Sequence, residues 1–596
     1  MKASAKTSAS GHLKKVIALV LTAALVAGIS GCGSSQISSG DGFTDAQQEF
    51  EDWLDEMFLT EVVSDTLTLH YTILNPSDYG IDEYEITLGD FGSEMYEQAY
   101  EEIHTYYGEM EEFDYDSLTY KEQLTYDVLE AYFETELLAE NLYLYKESLS
   151  PSTGVQAELP VLLAEYTLNS EKDITDYLEL LKTIPDYFDQ IIEFENEKSE
   201  AGLFMADFAA EAIISQCESF ADGKLSENCL VTSFNERIGE LDFLSDDEIK
   251  EYKKKNKKIV KKYVIPAYES LIDGLTDLMG TGENDGGLCG YEDGSEYYEY
   301  LVKNATGSDR TIGELAEMIE NELNLALLGF YSLLQSNEEL YDEIYDYECE
   351  LTDPEDILND LIDKISDDFP EPVTSDFTVK SVPESLEDDL SPAFYLTAPI
   401  DDLDNNVIYI NESEDYEGED LYSTLAHEGY PGHLYQTTYF SNTSPHLIRE
   451  LLGFSGYSEG WGTYAEIYSY SVSDLDEDLS SALAYNTVFA LAIYSRIDIG
   501  VNYEGWDLDE TAEFLSQYYS TDDDINQEIY ERMIEEPANY LSYFVGYLEF
   551  KSLGETAEET LGSDFSTADF HEFILETGPA PFYVIEEYMQ TWIDEQ

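Results

Sequence analysis

Positive charge is the scarcest property of this sequence. Its 596 residues include 27 lysines and arginines against 130 aspartates and glutamates, which gives a formal net charge of −103 at pH 7. A surface of this kind repels phosphate backbones, so we expect no nucleic-acid partner. Hydrophobic residues nevertheless make up 43% of the chain, which is enough for a large core and excludes wholesale disorder.

Long apolar runs are missing after the N-terminus, so no membrane-spanning helix is expected there. The N-terminus has a basic start, the short apolar run Val16–Ala27, and small residues directly before Cys32. This pattern predicts a lipoprotein signal peptide over residues 1–31 and a diacylglycerol on the thiol of Cys32. Residues 32–44 then form a flexible tether. The protein would be extracytoplasmic and anchored to the cell membrane by this lipid; the alternative is an ordinary signal peptide that happens to end at a cysteine.

Cysteine is also rare, with five in the chain. Lipidation of Cys32 leaves Cys217, Cys229, Cys289 and Cys349, whose spacings match no zinc-binding pattern. Four cysteines allow three pairings, of which 217 with 229 and 289 with 349 is the local one. Four free thiols are the other expectation, and we assign these cysteines no chemistry.

Histidine is scarce too, with seven in the chain, so two in one short segment are conspicuous. The segment reads His427-Glu428-Gly429-Tyr430-Pro431-Gly432-His433. A histidine followed by glutamate, with a second histidine soon after, is typical of zinc peptidases. In such sites the imidazoles bind the metal and the glutamate takes a proton from the attacking water. We therefore predict His427 and His433 as Zn²⁺ ligands and Glu428 as the catalytic base.

The spacing of the two histidines is longer than the usual four residues. Residues six apart on a regular helix are turned by about 240° and cannot converge on one ion. Pro431 removes this obstacle because its ring clashes with the carbonyl of His427, four residues back. Gly432 then permits backbone angles that other residues avoid. We expect a kinked helix that brings both imidazoles together.

A third protein ligand is expected from a nearby helix, because catalytic zinc sites usually have three. The best candidate is Glu459, which lies 26 residues after His433, room for a loop and a returning helix. Glu466 is seven residues further on, so it shares a helix face with Glu459 and is placed to orient a ligand histidine. With 130 acidic residues in the chain, a chance glutamate near the histidine pair is the alternative in both cases.

The histidine segment also carries a resemblance. With Gln436 and Glu459-Gly460-Trp461, it resembles a bacterial family of unknown function, domain of unknown function eight-eight-five, whose hallmark is His-Glu-x-x-Pro-Gly-His. Segments 65–81, 496–500 and 537–546 look familial as well, so the resemblance covers the mature chain. It implies a zincin-like fold related to Taq-type carboxypeptidases and angiotensin-converting enzyme. The segment Glu459-Gly460-Trp461 is similar to the Glu-Gly-Phe/Trp segment that supplies the third zinc ligand in gluzincin aminopeptidases.

The chain departs from the family pattern at two positions. Many members have a second histidine after the Pro-Gly-His, where this chain has Leu434, and a histidine where it has Asn502. If the histidine that stands at the position of Asn502 in other members contacts the substrate or the oxyanion, specificity or rate here should differ. The three predicted zinc ligands are all present.

Other parts of a peptidase site are less clearly marked. The oxyanion of a tetrahedral intermediate needs a hydrogen-bond donor, for which we choose Tyr543, with Tyr547 one turn on as the alternative. With 49 tyrosines in the chain, either one fits a core or rim position equally well. Arg496 is able to bind a substrate carboxylate, but an ion pair within so acidic a protein is the simpler interpretation.

Most of the mature sequence has apolar residues at three- and four-residue spacing, which predicts long amphipathic helices. The clearest are Ala46–Met57, Ser93–Tyr107, Tyr120–Tyr145, Thr175–Lys198 and Thr311–Ser336. Strand-like segments are few, namely Phe377–Ser381, Ala393–Ala398 and Val407–Asn411. The last is able to act as an edge strand that pairs with an extended peptide, or to be an ordinary core strand.

The predicted fold is therefore mostly α: a large, helical, zincin-like body with a small β-sheet next to the active-site helix. We expect a single two-lobed catalytic domain over residues 45–596, with a helical lobe over 45–370 and a metal-site lobe over 371–596. The predicted function is a lipid-anchored zinc peptidase that acts on short peptides. The alternatives are a non-catalytic solute- or peptide-binding lipoprotein, and a zinc hydrolase of a non-peptide amide or ester.

Overall fold

The structure is a computed structural model that describes residues 44–596, except for 152, 338–339, 346, 348, 350, 383–390 and 414–419. The predicted signal peptide, Cys32 and nearly all of the tether lie outside these residues. The helices before the sheet are α1 Asp45–Val62, α2 Thr66–Thr72, α3 Ser93–Met110, α4 Tyr120–Leu137, α5 Val155–Glu165, α6 Glu171–Leu180, α7 Ile184–Glu200, α8 Asp207–Asp222, α9 Cys229–Arg237, α10 Asp246–Ile259, α11 Ile265–Leu278, α12 Gly294–Thr306, α13 Ile312–Ser336, α14 Leu340–Tyr345 and α15 Pro354–Lys364.

Helices also follow the sheet up to the C-terminus. They are α16 Leu421–Glu428, α17 His433–Asn442, α18 Ile448–Leu451, α19 Ser455–Val472, α20 Glu477–Ile499, α21 Leu508–Leu515, α22 Asp523–Glu535, α23 Asn539–Leu561, α24 Thr567–Thr577 and α25 Phe582–Glu595. The prediction of a mostly α fold with a small sheet is confirmed.

Several helices begin where the sequence provides a capping box, in which a side chain and a backbone amide cap each other reciprocally. Thr44 with Gln47 starts α1, and Thr311 with Glu314 starts α13. Two predicted helices prove shorter. The helix predicted over 120–145 ends at Leu137, and the one predicted over 175–198 is divided between α6 and α7. The second division falls just before Pro185, which is confined to the first turn of α7 because proline lacks a backbone N–H.

The small sheet lies directly before the histidine motif in the chain. It has the strands β1 Phe377–Ser381, β2 Ala393–Leu396 and β3 Asn406–Ile410, in the order β1-β3-β2. β3 pairs in parallel with β1 and antiparallel with β2, so it is the central strand. The interpretation of Val407–Asn411 as an edge strand open to a peptide is therefore wrong, because both of its edges are already paired.

Among the residues that the structure describes, three groups of buried apolar side chains form the core. One lies among the helices of the first half of the chain, and a second joins α13, α20 and α23. The third surrounds the histidine motif and includes Ile408 of β3, Leu425 of α16, Leu434 of α17 and Trp461 of α19. Each group contains residues from both sides of position 370, and the two-lobed division at that position stays a prediction. The motif is thus held within a packed core.

Two further expectations concern thiols and membrane spans. Cys217, Cys229, Cys289 and Cys349 are free thiols, so the local pairing is not formed. Among the described residues, no helix combines the length and the apolar character that crossing a membrane requires.

Candidate metal centre

The two motif histidines lie at the facing ends of two consecutive helices. His427 is in the last turn of α16, and His433 is the first residue of α17. The helix predicted to be kinked is broken completely over residues 429–432, and the Tyr430–Pro431 peptide bond is cis. The ring centroids of the two histidines are 4.7 Å apart. The six-residue spacing is accommodated because each imidazole belongs to a different helix.

Gly432 is required by space rather than by unusual backbone angles. Its φ is −77°, outside the left-handed region, but a Cβ on it would lie 1.7 Å from the carbonyl oxygen of His427. The expectation that Gly432 is needed for its backbone angles is therefore wrong. Glycine is needed because the carbonyl of His427 leaves no space for a side chain. The same connection is fixed from outside by Trp461, whose Nε1 donates a hydrogen bond of 2.7 Å to the carbonyl of Pro431.

Glu459 reaches the histidine pair from the second turn of α19. Its Oε2 lies 3.7 Å from Nε2 of His427 and 3.7 Å from Nε2 of His433. The three residues each offer a ligand atom within 4.8 Å of the other two. Ligand atoms about 2.0–2.2 Å from a tetrahedral zinc ion are themselves roughly 3.3–3.6 Å apart, so these spacings suit such an ion. The predicted ligand triad is therefore brought together.

The donor atoms of this cluster are buried and unsatisfied. His427, His433 and Glu459 are 3%, 5% and 2% exposed. Both ring nitrogens of each histidine and Oε2 of Glu459 have no hydrogen-bond partner among the described residues. Buried polar atoms in folded proteins nearly always have partners. A set of two imidazoles and a carboxylate in this state fits a divalent cation such as Zn²⁺.

The charges within the cluster act strongly on one another. Burial acts to lower the pKa of His427, but the carboxylates of Glu459, Glu466 and Glu428 outweigh it and raise that pKa to about 10. Burial acts to raise the pKa of Glu459, but His427 and His433 hold it well below its usual range. The cluster therefore favours a negative carboxylate facing a positive charge.

Glycines allow α19 to approach its neighbours closely. A Cβ at Gly460 would lie 2.5 Å from Cα of Gly546 in α23, so the two helices touch backbone to backbone there. A Cβ at Gly462 would lie 2.5 Å from Nε2 of His427. The absence of side chains at these positions places Glu459 against the imidazole of His427.

Glu428 follows His427 at the end of α16 and is fully buried. Its Oε2 accepts a hydrogen bond of 3.0 Å from the backbone nitrogen of Tyr395 in β2. The small sheet therefore orients the carboxylate next to the metal-ligand cluster, where the predicted base is required.

Glu466 contacts the opposite side of the same imidazole. Its Oε2 lies 3.5 Å from Nδ1 of His427, while Glu459 faces Nε2. The seven-residue separation along α19 thus places the two carboxylates on the two nitrogens of one ring. This is the arrangement in which a carboxylate fixes the orientation of a metal-binding histidine.

The two candidate tyrosines differ in their surroundings. The ring of Tyr543 is 6.3 Å from that of His427, and burial, followed by the charges of Glu459 and Glu428, raises its pKa well above its usual range. Its hydroxyl therefore stays neutral near the cluster. Tyr547 instead packs against Phe544 and Tyr464, at ring distances of 6.2 and 6.5 Å.

Arg496 makes the contacts of a structural ion pair. Its Nε lies 2.8 Å from Glu320 and its Nη2 lies 2.9 Å from Glu504. The two departures from the family pattern are buried: Leu434 lies in the core around the motif, and Asn502 donates a hydrogen bond of 2.8 Å to the carbonyl of Met533.

Sequence reasoning missed the parts of the site that support the ligands. The backbone amide of Tyr395 and the indole of Trp461 are not identified by residue type. The glycines at 456, 460 and 462 were a usable signal, because small residues repeated along one helix often mark a close helix crossing.

Comparison with known proteins identifies the family of most of the chain. Residues 76–589 match the family model described as "Bacterial protein of unknown function (DUF885)". The chain belongs to this family. No curated protein matches this DUF885 chain.

Two solved structures resemble this DUF885 protein. The first, a "putative lipoprotein from Colwellia psychrerythraea", has a TM-score of 0.80 at 19% identity and covers 93% of this chain and 100% of its own. The second, a "putative lipoprotein of unknown function from Shewanella oneidensis", has a TM-score of 0.61 at 15% identity and covers 92% of this chain and 100% of its own. At such identities the likeness concerns the fold.

Proposed function

We propose that this protein is an extracytoplasmic, lipid-anchored, zinc-dependent peptidase with a zincin-like body. The observation that carries the proposal is the buried cluster of His427, His433 and Glu459. Its ring nitrogens and Oε2 of Glu459 have no hydrogen-bond partner among the described residues, and the charge of Glu428, the residue after His427, acts on the His427 ring. A purely structural cluster would leave these atoms at a cost of about 1–3 kcal/mol each.

The three donor residues support a zinc ion as the occupant of the site. Two imidazoles and one carboxylate form the His₂Glu set found in catalytic zinc sites, with a fourth position left for water or substrate. A zinc ion bound there supplies a Lewis acid that polarises a carbonyl group and lowers the pKa of a water molecule. Glu466, whose Oε2 lies 3.5 Å from Nδ1 of His427, would orient this imidazole so that Nε2 is available as a metal ligand.

Glu428 is the general base in this mechanism. Its carboxylate, held by the amide of Tyr395, accepts the proton of the attacking water and delivers it to the leaving amine. The protonated amine then departs as the carbon–nitrogen bond of the tetrahedral intermediate breaks. Burial of Glu428 keeps bulk water from competing for that proton.

Tyr543 supplies the hydrogen bond to the oxyanion. A phenol whose pKa is raised by burial and by neighbouring carboxylates remains protonated at neutral pH, so its O–H is available as a donor. α23 carries this residue and crosses α19 at Gly460 and Gly546, which keeps Tyr543 beside the cluster.

The location outside the cytoplasm rests on two supports. The N-terminal pattern that ends at Cys32 has the features of a lipobox. The two solved structures described above carry the word lipoprotein in their descriptions. A lipid on Cys32 would hold the acidic body at the membrane surface without a spanning helix.

The proposal is tested by metal content and peptide cleavage on one preparation. We expect about one zinc per chain, lost in His427→Ala and His433→Ala. We also expect cleavage of a mixed peptide library that Glu428→Gln abolishes while zinc is retained, with Glu477→Gln, an exposed glutamate of α20, as the matched control.

Other outcomes separate the alternatives. Zinc without cleavage of any peptide contradicts the peptidase and favours a non-peptide amide or ester as substrate. Absence of bound metal in the wild type contradicts the metal centre and favours a binding lipoprotein.

A further inference from the structure

A cavity is lined by residues one helical turn away from two residues of the candidate site. It has a volume of about 330 Å³ and its lining includes Ser455, the first residue of α19, and Asn539, the first residue of α23. Glu459 and Tyr543 lie four residues further along the same two helices, which is about 6 Å along a helix axis. The cavity lining therefore includes one residue a single helical turn before Glu459 and another a single helical turn before Tyr543.

The charged residues that line the cavity are almost all acidic. They are five glutamates and one lysine, namely Glu61, Glu136, Glu147, Glu535, Glu536 and Lys146. Three of the glutamates have a cation of the protein beside them: Glu136 lies 3.5 Å from Lys146, Glu536 lies 3.7 Å from Arg532, and Glu147 is paired with Lys198. The single lysine is thus already neutralised.

Glu61 differs from these three. It lies near the end of α1 and is 7% exposed, and its Oε1 has no hydrogen-bond partner among the described residues. Burial raises the pKa of Glu61 well above its usual range, and the carboxylate of Glu102 raises it further. No cation within the described chain opposes this, although a buried carboxylate is normally paired.

The walls near Glu61 suit an organic cation. Burial, followed by the Glu61 carboxylate, raises the pKa of Tyr106, and burial, Glu136 and Glu61 raise the pKa of Tyr132, so the charge of Glu61 acts on both hydroxyls. Both tyrosines line the cavity. Aromatic rings and a carboxylate around one space form a favourable environment for an ammonium or guanidinium group.

The cavity already contains one example of such an arrangement. The ammonium of Lys146 lies 5.6 Å from the ring centroid of Tyr300 while it pairs with Glu136, and Tyr300 also lines the cavity. Glu61 with Tyr106 and Tyr132 repeats this combination of acid and aromatic rings, but here the protein provides no cation of its own. The missing partner is therefore expected to come from a ligand.

We propose that this cavity binds a positively charged group of the substrate, an alkylammonium or guanidinium, against the carboxylate of Glu61. The inference rests on the proposed peptidase function and adds the substrate class: peptides that carry a basic side chain or a free N-terminal ammonium near the bond to be cleaved. The ammonium restores to Glu61 the ion pair that its burial otherwise denies it.

Binding is measured by calorimetry on the Glu428→Gln protein, so that no peptide is consumed. The probes are N-acetylated, C-amidated Ala-Ala-X-Ala-Ala peptides with X as lysine, norleucine or glutamate, in 0.15 M salt so that the general acidic field is screened. Lysine and norleucine differ mainly in the ammonium. A fourth peptide, the norleucine peptide with its N-terminus free, distinguishes a terminal ammonium from a side-chain ammonium.

We expect at least one ammonium-bearing peptide to bind about tenfold more tightly than the blocked norleucine peptide, and the glutamate peptide to bind most weakly. Glu61→Gln should reduce this advantage to less than about threefold. Glu56→Gln, an exposed glutamate of the same helix outside the cavity lining, should leave the advantage intact.

Two results overturn the proposal: binding of both ammonium-bearing peptides no tighter than that of the blocked norleucine peptide, or a preference for the ammonium that survives Glu61→Gln. The first does not depend on whether the Glu61 variant folds. Failure of the peptidase proposal gives a different result from failure of the cation site. If the ammonium-bearing peptides bind more tightly but the wild type cleaves no peptide, the cation site is retained. If the wild type cleaves peptides without this binding preference, only the peptidase is retained.

Discussion

The carboxylate of Asp498 accepts a hydrogen bond of 2.9 Å from the backbone nitrogen of Ala538. Ala538 has a φ of +66°, in the left-handed region that residues other than glycine rarely adopt, and it directly precedes α23. Asp498 is fully buried and also accepts a hydrogen bond from the hydroxyl of Tyr298 at 2.5 Å. A single aspartate in α20 thus holds the turn that starts the helix of Tyr543.

The pH dependence of stability should reflect this aspartate. Burial raises the pKa of Asp498 to about 7 from about 4 in the unfolded chain. Between those values the folded state binds more protons than the unfolded state, so the free energy of unfolding decreases as pH rises through this window. Asp498→Asn should remove this decrease, although the amide destabilises the protein at every pH by leaving a backbone donor unpaired.

Denaturant unfolding at several pH values between 4 and 8 measures this effect. Asp594→Asn, an exposed aspartate near the C-terminus, is the control and should keep the wild-type slope. A wild-type slope in the Asp498 variant would contradict the assignment.

Glu466 should contribute to metal affinity without being a ligand. Because it orients the imidazole of His427 from Nδ1, Glu466→Gln is expected to weaken zinc binding by roughly 10- to 100-fold, whereas Glu459→Gln should weaken it more. Competition with a chromogenic chelator gives both dissociation constants. Glu477→Gln serves as the exposed control, and equal affinity of the Glu466 variant and the wild type would remove this residue from the site.

Gly462 should be intolerant of a methyl group. A Cβ there lies 2.5 Å from Nε2 of His427, so Gly462→Ala must displace the imidazole and is expected to destabilise the protein by about 1–3 kcal/mol and to weaken zinc binding. Gly313→Ala, with nothing within 4 Å of the added Cβ, should instead stabilise α13 by up to about 1 kcal/mol. Thermal unfolding of both variants makes the comparison, which fails if they shift in the same direction.

His571 should destabilise the protein as the solution becomes acidic. Burial lowers its pKa to about 4, although a hydrogen bond to the carbonyl of Asp368 opposes that shift. Between pH 6.5 and 4 the unfolded chain binds the proton that folded His571 excludes, so the free energy of unfolding decreases as pH falls, by up to about 1.4 kcal/mol per pH unit. In His571→Gln this part of the acid sensitivity should disappear from unfolding curves recorded over that range.

Residue types and spacing were sufficient for the predicted metal-ligand residues but not for their surroundings. His427, His433 and Glu459 were identified because histidine is scarce and glutamate completes a familiar ligand set. Glu466 followed from helix periodicity. These inferences depend only on local geometry, which a sequence expresses directly.

Long-range packing accounts for the rest. The central position of β3 depends on its parallel pairing with β1, which lies across an intervening strand in the chain. Glu61 is one of 130 acids on a chain of amphipathic helices, and its burial depends on helices that meet it from elsewhere. The break between α16 and α17 was expected only as a kink, because proline predicts a disruption but not its extent.

One rigid helix contacts both nitrogens of the His427 ring, through Glu459 on one side and Glu466 on the other. Two carboxylates of α19 therefore restrict rotation of the ring about its side-chain bonds. A ligand restricted in this way would lose less torsional entropy on coordinating an ion than a freely rotating histidine. Substitutions that weaken the packing of α19 against α23 should therefore slow and weaken metal binding, even when no ligand is altered.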